Sequence, residues 1–283
     1  MKKFKTTLLA LGLTAVLAGC GNKLTTTKPV YNNSGMVAVI KGDASGKTVS
    51  YKAPTKTGSV KVHNGKYVVT LPMSTKAQKV TLKANGQTAT TKIKAATAIG
   101  TYSVVAQQYN QALVMTAVPA DTLKAMQAAQ RQGTPTQAQI AAMTPAQQQA
   151  LLKQQQEFQA ALTKAKAAVK DQQLPAKVEG LKQVVKTTSS TMRVNVQDGE
   201  LLSATLSAPV KALKGSQKDN QFGIEFGLLA NALGADAKKV GTQFQKAIKD
   251  QNGSQTTIKT ITSNGVKFDV GFSASELFIY MTK

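Results

Sequence analysis

Four asparagine–glycine or aspartate–glycine pairs stand between runs of alternating apolar and polar residues. They are Asn64-Gly65, Asn85-Gly86, Asp198-Gly199 and Asn264-Gly265. Such pairs adopt the positive φ angles that a type I′ hairpin turn demands, and a period of two is typical of a strand with one buried face. The pairs therefore predict antiparallel hairpins in two separate regions, one before residue 98 and one after residue 188.

The region of residues 36–98 consists of short runs that alternate in this way. In SVKVHNGKYVVTL, Val60 and Val62 before the turn and Tyr67 and Val69 after it fall on one face. About five or six short strands at this spacing favour a small antiparallel β-sandwich of immunoglobulin-like type. Modules of this type serve as spacers or adhesive units, and we expect a spacer here.

The composition changes after the predicted sandwich, because residues 101–183 are rich in glutamine and alanine and lack strand patterns. The predicted helices cover residues 102–115, 120–132 and 145–173. Thr134-Pro135 and Thr144-Pro145 are predicted helix starts, since a threonine hydroxyl caps free N–H groups and proline suits the first turn. The third helix carries an apolar stripe of only about three heptads, which favours packing onto the protein's own core over a coiled-coil dimer.

Strand patterns return from Thr188 onward. The predicted order is strand, strand, helix and three strands, and Asn252-Gly253 follows the helix. An antiparallel sheet with a helix packed across one face fits this order. The fold is thus predicted to be α+β, with a small β-sandwich over residues 36–98 and an α+β domain over residues 99–283.

The only cysteine of the chain, Cys20, follows a basic start, MKKFK, and an apolar run over residues 6–19. A basic start and about 7–15 apolar residues are typical of a secretory signal peptide, whereas a membrane span takes about 20 residues. The run ends in Leu17-Ala18-Gly19-Cys20. This sequence resembles the lipobox of bacterial lipoproteins, in which a branched apolar residue and two small residues precede the cysteine.

The resemblance implies cleavage before Cys20 and a thioether-linked diacylglycerol on the Cys20 sulfur. Residues 1–19 would then be a removable signal peptide, and the protein would lie at the cell membrane on its extracellular face. Residues 20–35 are polar and rich in threonine and asparagine, so we expect a flexible tether there. In composition the whole chain is similar to the lysine-rich surface lipoproteins of Gram-positive bacteria, lactobacilli in particular.

The chain is strongly basic, with 36 lysines and arginines against 13 acidic residues and a formal net charge of +23. A large positive charge favours polyanions. Nucleic acid is not an expected partner, because the leader directs the chain out of the cell, the lysines are scattered and few aromatic residues are present to stack on bases. The expected partners are the membrane, through the lipid on Cys20, and anionic wall polymers or lipid head groups. A solvated lysine surface that keeps the protein soluble is the other interpretation.

The sequence contains no recognisable catalytic or metal-binding constellation. His63 is the only histidine and stands beside a predicted turn, so we interpret it as a surface residue and assign no catalytic residue. Zinc needs three or four N or S ligands, and no metal or other cofactor is expected here. The acidic residues are dispersed, which leaves a carboxylate pair formed in space as an open catalytic option. Gly46-Lys47-Thr48 ends like a phosphate-binding loop, but Lys41 stands where that motif needs glycine, so we interpret it as a turn.

Two functional hypotheses follow. The first is a non-enzymatic, membrane-anchored extracellular lipoprotein that binds a cell-envelope polymer or a protein partner. The second is a solute-binding lipoprotein of an uptake system, although that class resembles two α/β lobes with parallel sheets, which the strand pattern does not favour. A flat basic face would favour the first hypothesis, and a deep pocket between two lobes would favour the second.

Overall fold

The computed structural model describes residues 22–210, 221–249 and 259–283. Cys20 with the rest of the predicted lipobox, the predicted signal peptide and Asn252-Gly253 lie outside these residues. The described chain combines helices with antiparallel sheets, so the predicted α+β class is confirmed. It has two hydrophobic cores, one formed by residues before position 98 and the other by residues from Ile99 onward.

The N-terminal unit is made of short strands in two sheets. The strands are β1 (Leu24–Thr26), β2 (Val30–Tyr31), β3 (Asn33–Ser34), β4 (Val37–Ala44), β5 (Thr48–Lys52), β6 (Thr57–Lys61), β7 (Lys66–Pro72), β8 (Gln78–Ala84) and β9 (Gln87–Ile93). One sheet has the order β1-β4-β3 with β7 on β4, and the other has the order β2-β9-β8-β5-β6. Both sheets contribute to one core around Ile40, Tyr67 and Leu82. The described pairs of this unit are antiparallel except for β2 with β9.

The flexible tether predicted over residues 20–35 is wrong from Leu24 onward. Leu24 pairs with Ala44 across β1 and β4, and the Tyr67 hydroxyl donates a hydrogen bond to the Thr25 carbonyl at 2.9 Å. Tyr31 is buried, and its hydroxyl donates to the Lys41 carbonyl at 2.8 Å. A threonine- and asparagine-rich segment is polar enough for a linker, but it also suits a short edge strand held by backbone bonds and one buried tyrosine.

Three of the four predicted hairpins are confirmed, and the one at Asn64-Gly65 is wrong. Its turn joins β6, which pairs with β5 in one sheet, to β7, which pairs with β4 in the other, and only an isolated bridge between His63 and Lys66 spans it. Both residues of each pair have positive φ, from 44° at Asn85 to 81° at Gly265. Positive φ at both central residues is what a type I′ turn requires. The turns at Asn85-Gly86, Asp198-Gly199 and Asn264-Gly265 set the register of three strand pairs, β8 with β9, β12 with β13 and β14 with β15, and therefore decide which of their side chains face outward.

The C-terminal unit consists of helices packed on one face of an antiparallel sheet. Its helices are α1 (Tyr102–Thr116), α2 (Ala120–Gln132), α3 (Gln137–Ala141), α4 (Pro145–Ala168), α5 (Gln221–Ala232) and α6 (Ala237–Lys249). Its strands are β10 (Gly100–Thr101), β11 (Gly180–Lys186), β12 (Thr191–Gln197), β13 (Glu200–Pro209), β14 (Ile261–Ser263), β15 (Val266–Phe272) and β16 (Glu276–Thr282). The sheet has the order β11-β12-β13-β16-β15-β14, with β10 on β13.

Helix α5 covers one face of this sheet, as the sequence predicts for one helix, and α1 packs beside it on the same face. The rings of Phe226 on α5 and Phe268 on β15 meet edge to face at 6.0 Å between centroids. Tyr109 and Leu113 of α1 lie in the same core. None of the described helices is long and apolar enough to cross a membrane.

One of the two predicted helix starts is confirmed and the other is wrong. Thr144 caps α4, and its hydroxyl accepts a hydrogen bond from the Gln147 amide at 3.3 Å, as predicted. Thr134-Pro135 does not start a helix, because Thr136 forms the capping box with Gln139 and α3 begins at Gln137. The side chain of Gln139 reaches back to the Thr136 amide, which gives Thr136 the second bond of a capping box.

Candidate binding surfaces

The outward face of the β2-β9-β8-β5-β6 sheet carries lysine, threonine and serine side chains. Its members are Thr48, Ser50, Lys52, Thr57, Ser59, Lys61, Lys79, Thr81, Lys83, Thr88, Thr90 and Lys92. All twelve are exposed except Thr81, which is half-buried. We call this surface the lysine–threonine face. It brings together five lysines that are spread over 41 positions of the sequence, so the prediction that the lysines are scattered is wrong for this part of the chain.

Like charges lie directly opposite each other on the lysine–threonine face. Lys79 on β8 pairs with Lys92 on β9, and Lys83 lies two rows away on the same face, beside Ser50. Like charges at directly opposed positions destabilise a sheet. None of the ion pairs of the described residues includes a lysine of this face. The face is therefore an uncompensated positive surface.

Acidic residues are nearly absent from the N-terminal unit. Residues 22–98 contain thirteen lysines and a single acid, Asp43. Asp43 lies on the other sheet and is already paired with Lys66 at 3.1 Å and Lys23 at 3.2 Å. Hydrogen bonds from Lys66 and Lys23 hold the pKa of Asp43 below its ordinary value. No carboxylate of this unit is thus left to neutralise the lysine–threonine face.

A groove of about 720 Å³ opens at one end of the lysine–threonine face. It lies where the turn between β4 and β5 meets the turn between β8 and β9, and Lys47 and Lys83 line it. Gly46 has a φ of +94°, and a Cβ on it would lie 2.7 Å from the Asn85 side chain. The Gly46-Lys47-Thr48 segment forms a turn that continues the basic face.

A second candidate site is a cleft of about 730 Å³ between the two units. Its floor is the face of the C-terminal sheet that α1 and α5 leave open, and its wall is the segment from Ser34 to Val37. Phe278 and Tyr280 of β16 lie on the floor with their rings stacked at 6.2 Å and 12°. Basic and acidic side chains also line the cleft, and the sequence analysis did not predict any of them as site residues.

Direct contacts join the two units beside this cleft. The Asn195 side-chain amide donates to the Met36 carbonyl at 3.1 Å, and the Thr75 amide donates to the Gln197 side chain at 3.0 Å. Gly35 has a φ of +59°, and a Cβ on it would lie 2.9 Å from the Tyr280 ring. The backbone of Gly35 thus lies against Tyr280, so the N-terminal unit helps to position the floor of the cleft.

Among the described residues, the histidine and the acids considered for catalysis are dispersed, apart from two acids that share the cleft. His63 is exposed beside the turn at Asn64, as expected. Among the described residues, no group of three or more His, Cys, Asp or Glu side chains could hold a metal ion. Asp269 and Glu276 both line the cleft, and Asp269 accepts a hydrogen bond from the Thr260 hydroxyl. The charge asymmetry of residues 22–98 is the sequence signal that could have indicated the basic face, whereas the cleft residues have no such signal.

The chain matches no protein-family model and no curated protein in the comparisons made.

Proposed function

We propose that this protein is a non-enzymatic, membrane-anchored extracellular lipoprotein that binds an anionic cell-envelope polymer through the lysine–threonine face. The observation that carries the proposal is the row of uncompensated lysines, with Lys79 directly opposite Lys92. A stable sheet is easier to build with an acid in one of these positions. A bound anion would neutralise the repulsion between the two lysines, which accounts for their arrangement.

The face suits a polymer of phosphate groups. Lysine supplies a strongly hydrated point charge, and threonine and serine hydroxyls donate hydrogen bonds to phosphate oxygens. Adjacent strands lie about 4.8 Å apart, so an extended polyanion that crosses β9, β8 and β5 meets a lysine on each of them. Binding of this kind releases counterions and weakens steeply as salt rises.

The proposed anchor places the face close to the membrane. Only residues 21–23 separate Cys20 from β1, which is about 14 Å of chain at full extension between Cys20 and Leu24. Leu24 pairs with Ala44, beside the turn that carries Lys47. Two acyl chains on Cys20 would hold this basic end of the sandwich at the level of the lipid head groups. Replacement of Cys20 by serine is expected to abolish palmitate labelling and to release the protein from the membrane fraction.

The test of polymer binding uses the mature chain with the Cys20→Ser substitution and poly(glycerol phosphate) in a salt series. The triple variant Lys79→Gln, Lys83→Gln and Lys92→Gln is expected to lose at least about tenfold in affinity at low salt. The matched control replaces three exposed lysines of α4, Lys153, Lys164 and Lys166, and removes the same charge. Equal losses in both variants would show that net charge alone attracts the polymer. Binding to phosphatidylglycerol vesicles but not to the polymer would indicate that the lysine–threonine face binds lipid head groups instead.

A second candidate function is capture of a small solute, and the cleft between the units favours it. Its volume lies within the range of about 300–1,000 Å³ that is typical of ligand pockets. The sheets on either side are mostly antiparallel, unlike those of the α/β lobes in the solute-binding class.

A further inference from the structure

One row of side chains crosses the floor of the cleft from a cation to an anion. Gln183, Arg193, Thr205, Tyr280 and Asp269 occupy paired positions on β11, β12, β13, β16 and β15. Arg193 and Asp269 are three strand intervals apart, which is about 14 Å. All five residues line the cleft.

The two charged residues of this row have no ion-pair partner within the described chain, although Asp269 accepts a hydrogen bond from the Thr260 hydroxyl. The ion pairs of residues 22–210, 221–249 and 259–283 include neither Arg193 nor Asp269. Lys186 adds a second cation in the next row, on the β11 side of the floor, and Glu276 adds an acid on β16. The cleft is thus positive at one side and negative at the other.

A buried hydroxyl lies in the middle of the row. Thr205 is only 5% exposed, and its Oγ1 has no hydrogen-bond partner among the described residues. Buried polar atoms in folded proteins are normally satisfied, so an unpaired hydroxyl that lines a cleft points to a polar group of a ligand. Its position between Arg193 and Tyr280 requires that group to be central in the ligand.

The aromatic pair gives the cleft an apolar surface between the charges. Phe278 lies opposite Gly271 in the row next to Tyr280, and Gly271 carries no side chain that would fill the space beside the rings. A ligand side chain can pack there while the ends of the ligand reach the charges.

We propose that this cleft binds a short peptide with free amino and carboxyl ends. The carboxylate pairs with Arg193, whose guanidinium offers two parallel donors, and the ammonium group pairs with Asp269. An amide in the middle of the peptide meets Thr205, and a side chain packs on Phe278 and Tyr280. About three or four extended residues span the distance once the reach of the arginine is subtracted. The inference rests on the second candidate function and is independent of the lysine–threonine face.

Calorimetric titration of the mature Cys20→Ser chain with tetra-alanine tests the proposal. Free tetra-alanine is expected to bind, and N-acetylation or C-amidation is each expected to weaken binding at least about tenfold, since each removes one charge pair. Arg193→Gln should weaken binding of the free peptide but leave the affinity for the amidated peptide unchanged. Asp269→Asn should weaken binding of the free peptide but leave the affinity for the acetylated peptide unchanged.

The result that overturns the proposal is equal binding of free and capped peptides, or no binding at millimolar peptide. Chitotriose serves as a neutral ligand that can stack on aromatic rings. If chitotriose binds and tetra-alanine does not, the peptide inference fails while solute capture in the cleft stands. Binding of poly(glycerol phosphate) is measured on the same variants and is expected to stay unchanged. A failure of the peptide proposal can therefore be distinguished from a failure of the polymer proposal.

Discussion

At the scale of single residues, buried tyrosine hydroxyls connect distant segments of each unit. The Tyr67 hydroxyl donates to the Thr25 carbonyl at 2.9 Å, and the Tyr102 hydroxyl donates to the Pro175 carbonyl at 2.8 Å. Burial raises the pKa of both phenols to about 12. For Tyr67, the nearby Tyr31 and Asp43 raise the pKa further. Each bond depends on the protonated phenol, because a phenolate cannot donate.

These pKa values predict a loss of stability in alkali. A folded-state pKa above the ordinary value of 10 means that the stabilisation is fully present below pH 10 and is lost as the pH rises toward 12. We expect Tyr67→Phe to lower the free energy of unfolding by about 1 kcal/mol at pH 8, because the Thr25 carbonyl loses its donor. The variant should also lose less stability than the wild type between pH 10 and 12. Urea unfolding across this range checks both expectations, and an unchanged pH slope would contradict the assignment.

At the scale of elements, the cross-strand pair of Lys79 and Lys92 is expected to favour binding of an anionic polymer while it lowers the stability of the sheet. We expect Lys92→Glu to raise the free energy of unfolding by about 0.5 kcal/mol, because it replaces repulsion by attraction across β8 and β9. The same substitution should weaken binding of poly(glycerol phosphate). Lys56→Glu, in the exposed turn between β5 and β6, changes the net charge equally without an opposed lysine. A similar gain in stability from Lys56→Glu would show that relief of general repulsion is responsible.

The elements that the sequence predicts well are those with local signals. Hairpin turns at Asn85-Gly86 and Asp198-Gly199 require only two residues, and α2 follows its predicted bounds because its composition is strongly helical. Strand β1 has no such signal, since Leu24–Thr26 is ordered by pairing with β4 and by Tyr67, far along the chain. Strand β11 also escapes prediction, because the register shift between Gln183 and Val185 breaks its alternation.

The candidate surfaces depend even more on long-range register. The lysines of the lysine–threonine face come from four strands, and their common direction follows only once the pairing of β5, β6, β8 and β9 is known. The row from Arg193 to Asp269 joins residues 76 positions apart through three pairings. Composition records the charge of the N-terminal unit but not the surface on which it gathers.

At the scale of the whole molecule, Gly35 controls how the two units meet. Its φ of +59° disfavours other residues, and its backbone lies against the Tyr280 ring. We expect Gly35→Ala to destabilise the protein by about 1–2 kcal/mol through the positive φ alone. The added methyl group should also push the segment from Ser34 to Val37 away from the sheet. That shift would weaken the nearby hydrogen bond from Asn195 to the Met36 carbonyl.

The control variant Gly65→Ala separates the strain of a positive φ from the loss of contact between the units. Gly65 has a φ of +73°, and a Cβ on it would meet nothing within 4 Å. Calorimetric unfolding should show one shifted transition for Gly65→Ala, since only the N-terminal unit is strained. For Gly35→Ala it should show broadening or two transitions, because the units lose part of their mutual contact and unfold more independently. Gly35→Ala should also bind tetra-alanine more weakly than the wild type if the wall of the cleft is part of the site. Equal calorimetric profiles for the two variants would mean that contact with Tyr280 does not couple the units, and the cleft would then be a property of the C-terminal sheet alone.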